Sequence, residues 1–527
     1  MSTSVETAVV TNPIGTRRTN CLLYGMLVIF VVWRLFYLHA DPSSPYNPFS
    51  PYQNTDEQHH IADARKIVLY GTPFYDAYNP SVLMPFFTLF EVPFLEIFGV
   101  NQVGMRVGSI CCVMGAAWLM SRLLQRRGEN LAALLLMFWI GASFFTFCHS
   151  RYGIHEPVLM FFSALTVYWF YRALETNRAV HYVIAFLSAL TVPLTKTSGV
   201  FIYGMIGCCL LYKTLADRKA VNWKGAMVGA AVSGAVLTLV VFFWFLPHWD
   251  EFVFLYNQEV VAKQSPQVLA AMKRLVFATM NLAPLIAPLC VAFVIRFLVR
   301  FLSKPRQCDN LDLILLSWLV SAYVPMVFSE LWFLRWMMWI FLPLGTIGLR
   351  ELARFATRLQ KGPQGVVVGL FILSMAAGNW TLYSEYYRSM SFHMCWLVPF
   401  VEQMVGTNVV SGSGLQDLTY SGKLNIVSNY EHTDRNQDCD EIRVTYPTAD
   451  KTPQYIGWHV GNDSSKFDEK LRAWYATCPE WKKQYQPFML SKRIDYNGSC
   501  DIWLVRTNAP LSRDLPIITP RPFGGAS

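Results

Sequence analysis

Residues 21–40 read CLLYGMLVIFVVWRLFYLHA, with Arg17 and Arg18 just before them. The run is about the 20 residues that a helix needs to cross a hydrocarbon core, and a basic pair in front of it marks the cytoplasmic side. A cleavable signal peptide ending near Ala40 is the competing reading. The length of the run, and Trp33 and Arg34 inside it, oppose that. Outward from this stretch the pattern repeats as far as Tyr383, with apolar runs near spanning length separated by short Arg/Lys clusters.

Composition agrees. Of 527 residues, 53% are hydrophobic and only 15% charged, whereas soluble globular chains carry about a quarter charged residues. A disordered chain, a disulfide miniprotein and an ordinary soluble enzyme are excluded. The net charge of +9 is not gathered on one face, which argues against nucleic acid as a partner. It is distributed as Arg122, Arg126 and Arg127; Arg172 and Arg178; Lys213, Arg218, Lys219 and Lys224; Arg296, Arg300, Lys304 and Arg306; and Arg350, Arg354, Arg358 and Lys361.

Keeping these clusters in the cytoplasm predicts about eleven transmembrane helices, with the N-terminus inside and the C-terminus outside. They fall near 21–40, 104–122, 130–148, 156–172, 181–195, 198–213, 226–246, 281–301, 311–328, 334–350 and 364–383. The apolar stretch Ser81–Val100 is left out of that count. It holds Pro85, Pro93, Glu91 and Glu96, and counting it would turn every later basic cluster outward. Carboxylates at bilayer depth are costly, so the stretch reads as a helix along the outer membrane surface.

The expected organisation is a cytoplasmic tail 1–20, a membrane domain 21–383 with an outer loop 41–103, and an exoplasmic domain 384–527. The last segment is turn-rich, with alternating runs Leu424–Val427, Glu441–Tyr446, Tyr455–Val460 and Asp501–Val505 and a helical pattern Ser465–Tyr475. Those signals predict a small α/β or α+β domain. Its cysteines, Cys395, Cys439, Cys478 and Cys500, allow three pairings that sequence does not separate. The other eight read as small packing residues, and no spacing points to zinc.

Two outer loops carry carboxylates beside the membrane. The first holds Asp56, Glu57, His59 and His60 ahead of a helical pattern that stops at Gly71. An acidic residue there is favoured by the free N–H groups of a helix start, so an N-cap is the plain reading of Asp56. The second reads His149-Ser-Arg151-Tyr-Gly-Ile-His155-Glu156-Pro157, and proline in a first turn makes Glu156 a cap candidate as well. Basic groups on the same side are scarcer. Lys196 interrupts an apolar stretch, and Arg335 lies between Trp332 and Trp336. Cations near membrane depth are usually partnered and functional, with snorkelling to the headgroups as the alternative. The charged and aromatic loop Pro247–Ala278 reads as an amphipathic surface.

Taken in order, these residues resemble a known family. The Asp56-Glu57 pair is followed by Gly71-Thr-Pro-Phe-Tyr75, Tyr78-Asn-Pro80-Ser-Val-Leu83, Phe98-Gly99 and Arg106, then Arg151…Glu156, Leu194-Thr-Lys196 and Arg335…Pro343. The series, over about residues 21–350, is similar to the GT-C membrane glycosyltransferases. It looks most like the branch of protein O-mannosyltransferases and the bacterial lipid A aminoarabinose transferase. The resemblance implies a GT-C-like catalytic membrane domain, a polyprenyl- or dolichyl-phosphate-linked sugar as donor, and a protein, lipid or glycan acceptor. It also implies transfer at the lumenal or periplasmic face with inversion. Asp56 matches the family's catalytic aspartate, with Glu57 beside it, and Glu156 stands where relatives often have Asp. Lys196 and Arg335 match positions that would bind the donor phosphate, and His59, Arg151, His155 and Tyr78 would line the substrate. No cofactor is certain. A divalent metal on Glu156 or Asp56 is compatible with the family.

The sequence departs from the family at Asn79-Pro80-Ser81-Val82, where relatives commonly carry a cation followed by Pro-Pro-Leu, and no β-trefoil repeat is visible in the tail. Sugar and acceptor are therefore left open, as is the choice between a bacterial plasma membrane and the endoplasmic reticulum. A transporter or flippase for lipid-linked sugars, and a non-catalytic membrane subunit, are the competing functions. A flippase would favour repeated halves with broken helices meeting at the midplane, and no such repeat is seen.

Overall fold

The computed structural model describes residues 13–40, 56–74, 79–216, 221–261, 286–303, 308–327, 334–388, 409–412, 420–428, 439–445, 455–460, 485–492 and 500–506, with a few single positions between them. The chain divides into two compact units. One comprises residues 1–36, 81–87 and 107–383, and the other residues 37–80, 88–106 and 384–527.

The first unit is helical, and the chain is an α-helical polytopic membrane protein. Each expected span falls on a helix. Among the described residues seven helices are long and apolar enough to cross a membrane, and the pair Asn130–Ala142 and Phe144–Ser150, bent by 59°, makes an eighth span if counted as one. The expectations at 181–195, 281–301 and 334–350 meet the helices Ala179–Thr195, Ala287–Ser303 and Met338–Ala356. The first two have only 17 residues each, and the third carries Arg350, Glu351 and Arg354 in its last turns.

The bend shapes the candidate site. It falls at Ser143, whose backbone is extended with φ −70° and ψ 126°. Broken helices leave carbonyls without partners, which is costly away from water. Arg34, fully buried in the first helix Pro13–Leu35, supplies the donors. Its guanidinium reaches Gly141 O at 2.9 Å, Ile140 O at 3.1 Å and Ser150 Oγ at 3.0 Å. From the far end of the first unit, Asn379 Oδ1 accepts from Phe144 N at 2.8 Å and Tyr383 Oη donates to Ala142 O at 3.2 Å. Gly141 makes the approach possible, because a Cβ there would lie 2.0 Å from the Phe30 ring.

Arg151 completes the arrangement. It is buried and donates to the carbonyls of Arg34 (2.8 Å) and Phe36. These are the last carbonyls of the first helix, where a cation also meets the negative end of the helix dipole. At the other end of this unit, Arg350 joins Glu129 at 2.6 and 2.8 Å and Asp312 at 2.5 Å, while Arg127 joins Glu129 at 3.2 Å and Asp309 at 2.5 Å. Arg127 and Arg350, from two of the basic clusters that set the topology, are thus tied to carboxylates.

The second unit contains the helix Asp56–Tyr70 and a six-stranded sheet. The strands are β1 (Val409–Gly412), β2 (Asn425–Ser428), β3 (Cys439–Thr445), β4 (Tyr455–Val460), β5 (Tyr485–Lys492) and β6 (Cys500–Arg506). Their order is β2-β1-β3-β4-β6-β5, with only β1 and β2 parallel. The four alternating runs correspond to β2, β3, β4 and β6, while the helical pattern Ser465–Tyr475 lies outside the described residues. Cys439 and Cys500 both pair with Val460, from opposite sides of β4. Their Cα atoms are therefore two strand spacings, about 9.6 Å, apart.

The stretch Ser81–Val100 forms a 3₁₀ turn Pro80–Val82 and a 14-residue helix Pro85–Phe98. The break after it is made by Gly99, at φ +84°. Its carbonyl lies where a Cβ on Gly104 would come within 2.1 Å. Asn101 Oδ1 then accepts from Val103 N at 2.8 Å and Gly104 N at 3.1 Å, starting the helix Gln102–Arg126.

Candidate functional site

Within the first unit, three of the expected residues converge. Glu156 is fully buried in the first turn of the helix His155–Thr176, with Pro157 next to it. The helix start stabilises the carboxylate. Lys196 follows Pro193 at the end of the helix Ala179–Thr195, and its own backbone is extended at φ −157° and ψ 132°. The chain then turns at once into the 3₁₀ turn Thr197–Val200. Gly199 allows this, since a Cβ there would stand 2.5 Å from Val192 O. The break points Lys196 inward, with Nζ 2.6 Å from Glu156 Oε1. Arg335, also buried, has Nε 3.6 Å from the same oxygen.

One buried carboxylate oxygen therefore stands between two cations. Aromatic faces border it: Lys196 Nζ is 4.8 Å from the Trp336 ring centre and 5.4 Å from that of Trp339. Cations against such rings are stabilised by the aromatic faces and by anions that approach them. The arrangement can hold a phosphate.

His155, in the same unit, is buried with its ring 4.3 Å from that of Phe87. Arg151 reaches the carbonyls that end the first helix, as described above. His149, which the sequence places at the head of the same loop without assigning it a role, is fully buried, and Glu156 and Arg335 both act electrostatically on its ring.

The second unit holds the other carboxylates. Asp56 opens the helix Asp56–Tyr70, and His59 lies on it; their side chains, and Tyr78 altogether, lie outside the described residues. Glu57 is fully buried and takes a two-pronged salt bridge from Arg106, Nε to Oε1 and Nη2 to Oε2, both at 2.8 Å. Arg106 also donates to the carbonyls of Leu38 and Ala40. Tyr420 Oη donates to Glu57 Oε2 at 2.6 Å. Further along the helix, Arg65 donates to Ser421 O at 2.9 Å and Leu424 O at 2.6 Å, and Tyr70 Oη to Leu424 O at 3.3 Å. Lys66 pairs with Asp63 at 2.9 Å.

Glu91 is fully buried and has no hydrogen-bond partner among the described residues. Burial, with the charge of Glu57 added, pushes its carboxyl well above the ordinary value of 4.5. Sequence reading singled out Glu91 as costly at bilayer depth but assigned it no place beside Glu57. Arg106 was visible as a motif position, while Tyr420, in the tail, carried no signal. Among the described residues no three His, Cys, Asp or Glu side chains come together as a metal site.

A family model described as dolichyl-phosphate-mannose-protein mannosyltransferase matches residues 83–255. That is the branch of membrane glycosyltransferases the ordered motifs resemble. Among solved structures the chain is similar to ArnT from Cupriavidus metallidurans bound to undecaprenyl phosphate, with a TM-score of 0.47 and 16% identity. The match covers 66% of this chain and 63% of that one. It is also similar to the Archaeoglobus fulgidus oligosaccharyltransferase in complex with zinc and sulfate, with a TM-score of 0.46 and 14% identity, over 67% of this chain and 51% of that one. The matched region thus spans less than two thirds of either structure's length. No curated protein matches the chain.

Proposed function

We propose that this protein is a membrane glycosyltransferase that moves a sugar from a polyprenyl- or dolichyl-phosphate carrier to an acceptor hydroxyl at the outer face, with inversion. The observation that carries the reading is the group Glu156–Lys196–Arg335, two cations on one buried carboxylate among helices that are long and apolar enough to cross a membrane. The family model over residues 83–255 supports the class of donor.

In this reading Lys196 and Arg335 bind the donor phosphate and stabilise the charge that grows on it as the anomeric C–O bond breaks. Glu156 holds the two cations in place and is displaced in part from Lys196 when the phosphate arrives. Asp56 takes the proton of the acceptor hydroxyl as its oxygen forms the new glycosidic bond, and the lipid phosphate leaves. Glu57, held by Arg106 and Tyr420, anchors the start of the helix that carries Asp56. Acceptor, sugar, and any divalent metal on Glu156 or Asp56 belong to the same proposal and take no separate step in it.

The test is release of sugar from radiolabelled polyprenyl-phosphate sugars by protein in lipid nanodiscs, with Asp56→Asn and Lys196→Met beside the wild type. Turnover that collapses in Asp56→Asn while donor binding persists, together with weakened binding in Lys196→Met, supports the reading. Saturable binding with no turnover of any donor overturns it in favour of a carrier or a binding subunit.

A further inference from the structure

His149 lies near the end of the short helix Phe144–Ser150. Its Nδ1 is 2.8 Å from Phe145 O, one turn back. A carbonyl oxygen only accepts, so Nδ1 carries the proton, and Nε2 of the neutral ring is left with a lone pair. That nitrogen is buried and has no hydrogen-bond partner among the described residues. The Phe145 ring, 4.7 Å away, packs against the imidazole. The ring is thus held by a bond on one edge and an aromatic neighbour, while its other edge carries an unused acceptor.

Buried acceptors are nearly always bonded, so an orphan beside a charged group is informative. A second orphan borders the same group. The indole N–H of Trp339, 1% exposed, has no partner among the described residues, and Lys196 lies over that ring. His149 thus lies within electrostatic reach of Glu156 and Arg335 with an unused acceptor, and Lys196 lies over a ring with an unused donor. A phosphodiester satisfies cations and a donor but carries no hydrogen to give, so it cannot satisfy His149. A hydroxyl both gives and accepts.

We propose that His149 is a specificity-determining residue of this site, its Nε2 accepting a hydrogen bond from a hydroxyl of the sugar on the lipid-phosphate donor. The proposal rests on the reading of Glu156–Lys196–Arg335 as the donor-phosphate site. It explains why a histidine is buried there with one edge anchored: the anchor fixes the tautomer, and so fixes the free edge as an acceptor. Trp339 provides the matching N–H for an oxygen of the same sugar or of its phosphate.

Two substitutions separate this from a packing role. His149→Asn keeps a polar group near Nδ1 and leaves nothing at Nε2, whereas His149→Gln reaches the Nε2 position with an acceptor. Binding to full-length protein in nanodiscs is measured for undecaprenyl phosphate and for its mannosyl, glucosyl and aminoarabinosyl phosphodiesters. The expected result is that His149→Asn weakens the best-bound sugar lipid about tenfold and leaves bare undecaprenyl phosphate unchanged, with His149→Gln restoring affinity to within about twofold. An equal effect of His149→Asn on bare and sugar-bearing lipid, or no effect on either, overturns the proposal and leaves the donor site standing. So does a glutamine variant as weak as the asparagine one. Failure of the wild type to bind any of the four lipids removes both the site and the proposal.

Discussion

Arg106 and Glu57, 49 positions apart, close a two-pronged salt bridge with both bonds at 2.8 Å and both side chains buried. The same guanidinium holds the carbonyls of Leu38 and Ala40, so a single side chain joins the segment after the first helix to the start of the helix Asp56–Tyr70. Removing one member of a buried ion pair strands the other charge, at about 3–5 kcal/mol. Arg106→Ala should therefore lower stability by that order, read as a large drop in the thermal midpoint of detergent-solubilised protein. The double variant Arg106→Met with Glu57→Gln should recover much of the loss. A single variant as stable as the wild type would show that the pair does not hold the fold.

Arg34 supplies hydrogen bonds to the bend between Ala142 and Phe144. Arg34→Leu keeps the first helix apolar, and on hydropathy alone should favour insertion. The freed carbonyls argue the reverse, with stability lower by at least about 2 kcal/mol. Thermal unfolding followed by thiol labelling of the buried Cys148 reports the difference. Unchanged labelling would show that the bend does not need the arginine.

Glu91 gives a prediction with a definite sign in pH. Its carboxyl stays protonated in the fold above the ordinary value of 4.5, whereas the unfolded chain releases that proton near 4.5. The unfolded state then binds fewer protons, so this group lowers stability as pH rises from about 4.5 towards the raised folded value. Glu91→Gln removes the effect. The variant should match the wild type near pH 4 and gain on it as pH rises above about 4.5, in denaturation measured as a function of pH. A wild type that gains on the variant with rising pH would contradict a neutral, buried Glu91.

The strand register makes a prediction about oxidation. A disulfide needs Cα atoms within about 7 Å, and Cys439 and Cys500 are separated by the width of β4. Peptide mapping of the oxidised protein should find no Cys439–Cys500 bridge. Finding one would show that β3, β4 and β6 are paired otherwise.

What was legible in the sequence follows from range. Apolar runs and basic clusters are local signals, and each expected span met a helix. Lys196 was visible as the interruption between the expected spans 181–195 and 198–213, where the chain does break. Glu156 was likewise visible, because Pro157 marks its helix start. The bend at Ser143 was not, since its partners come from Arg34, Asn379 and Tyr383, over a hundred residues away on either side. The same holds for Tyr420, which reaches Glu57 across 363 positions. Of the strands, β5 was hidden by Pro487 and its polar neighbours, a composition tolerated because β5 is at the sheet edge. β1 reads Val-Val-Ser-Gly and has no alternation to find.

The clasp between Arg34 and the bend has a consequence for how the protein is made. The first helix leaves the ribosome carrying an arginine whose partner Ser150 is still 116 residues away. At about 5–20 residues per second, roughly 6–23 s of synthesis separate the two. During that interval the charge must be shielded by water, headgroups or the insertion machinery. Once Arg151 emerges, it takes up the carbonyl of Arg34 itself. The end of the first span and the bent helix pair Asn130–Ser150 therefore mature together, and translation speed over this stretch becomes part of folding.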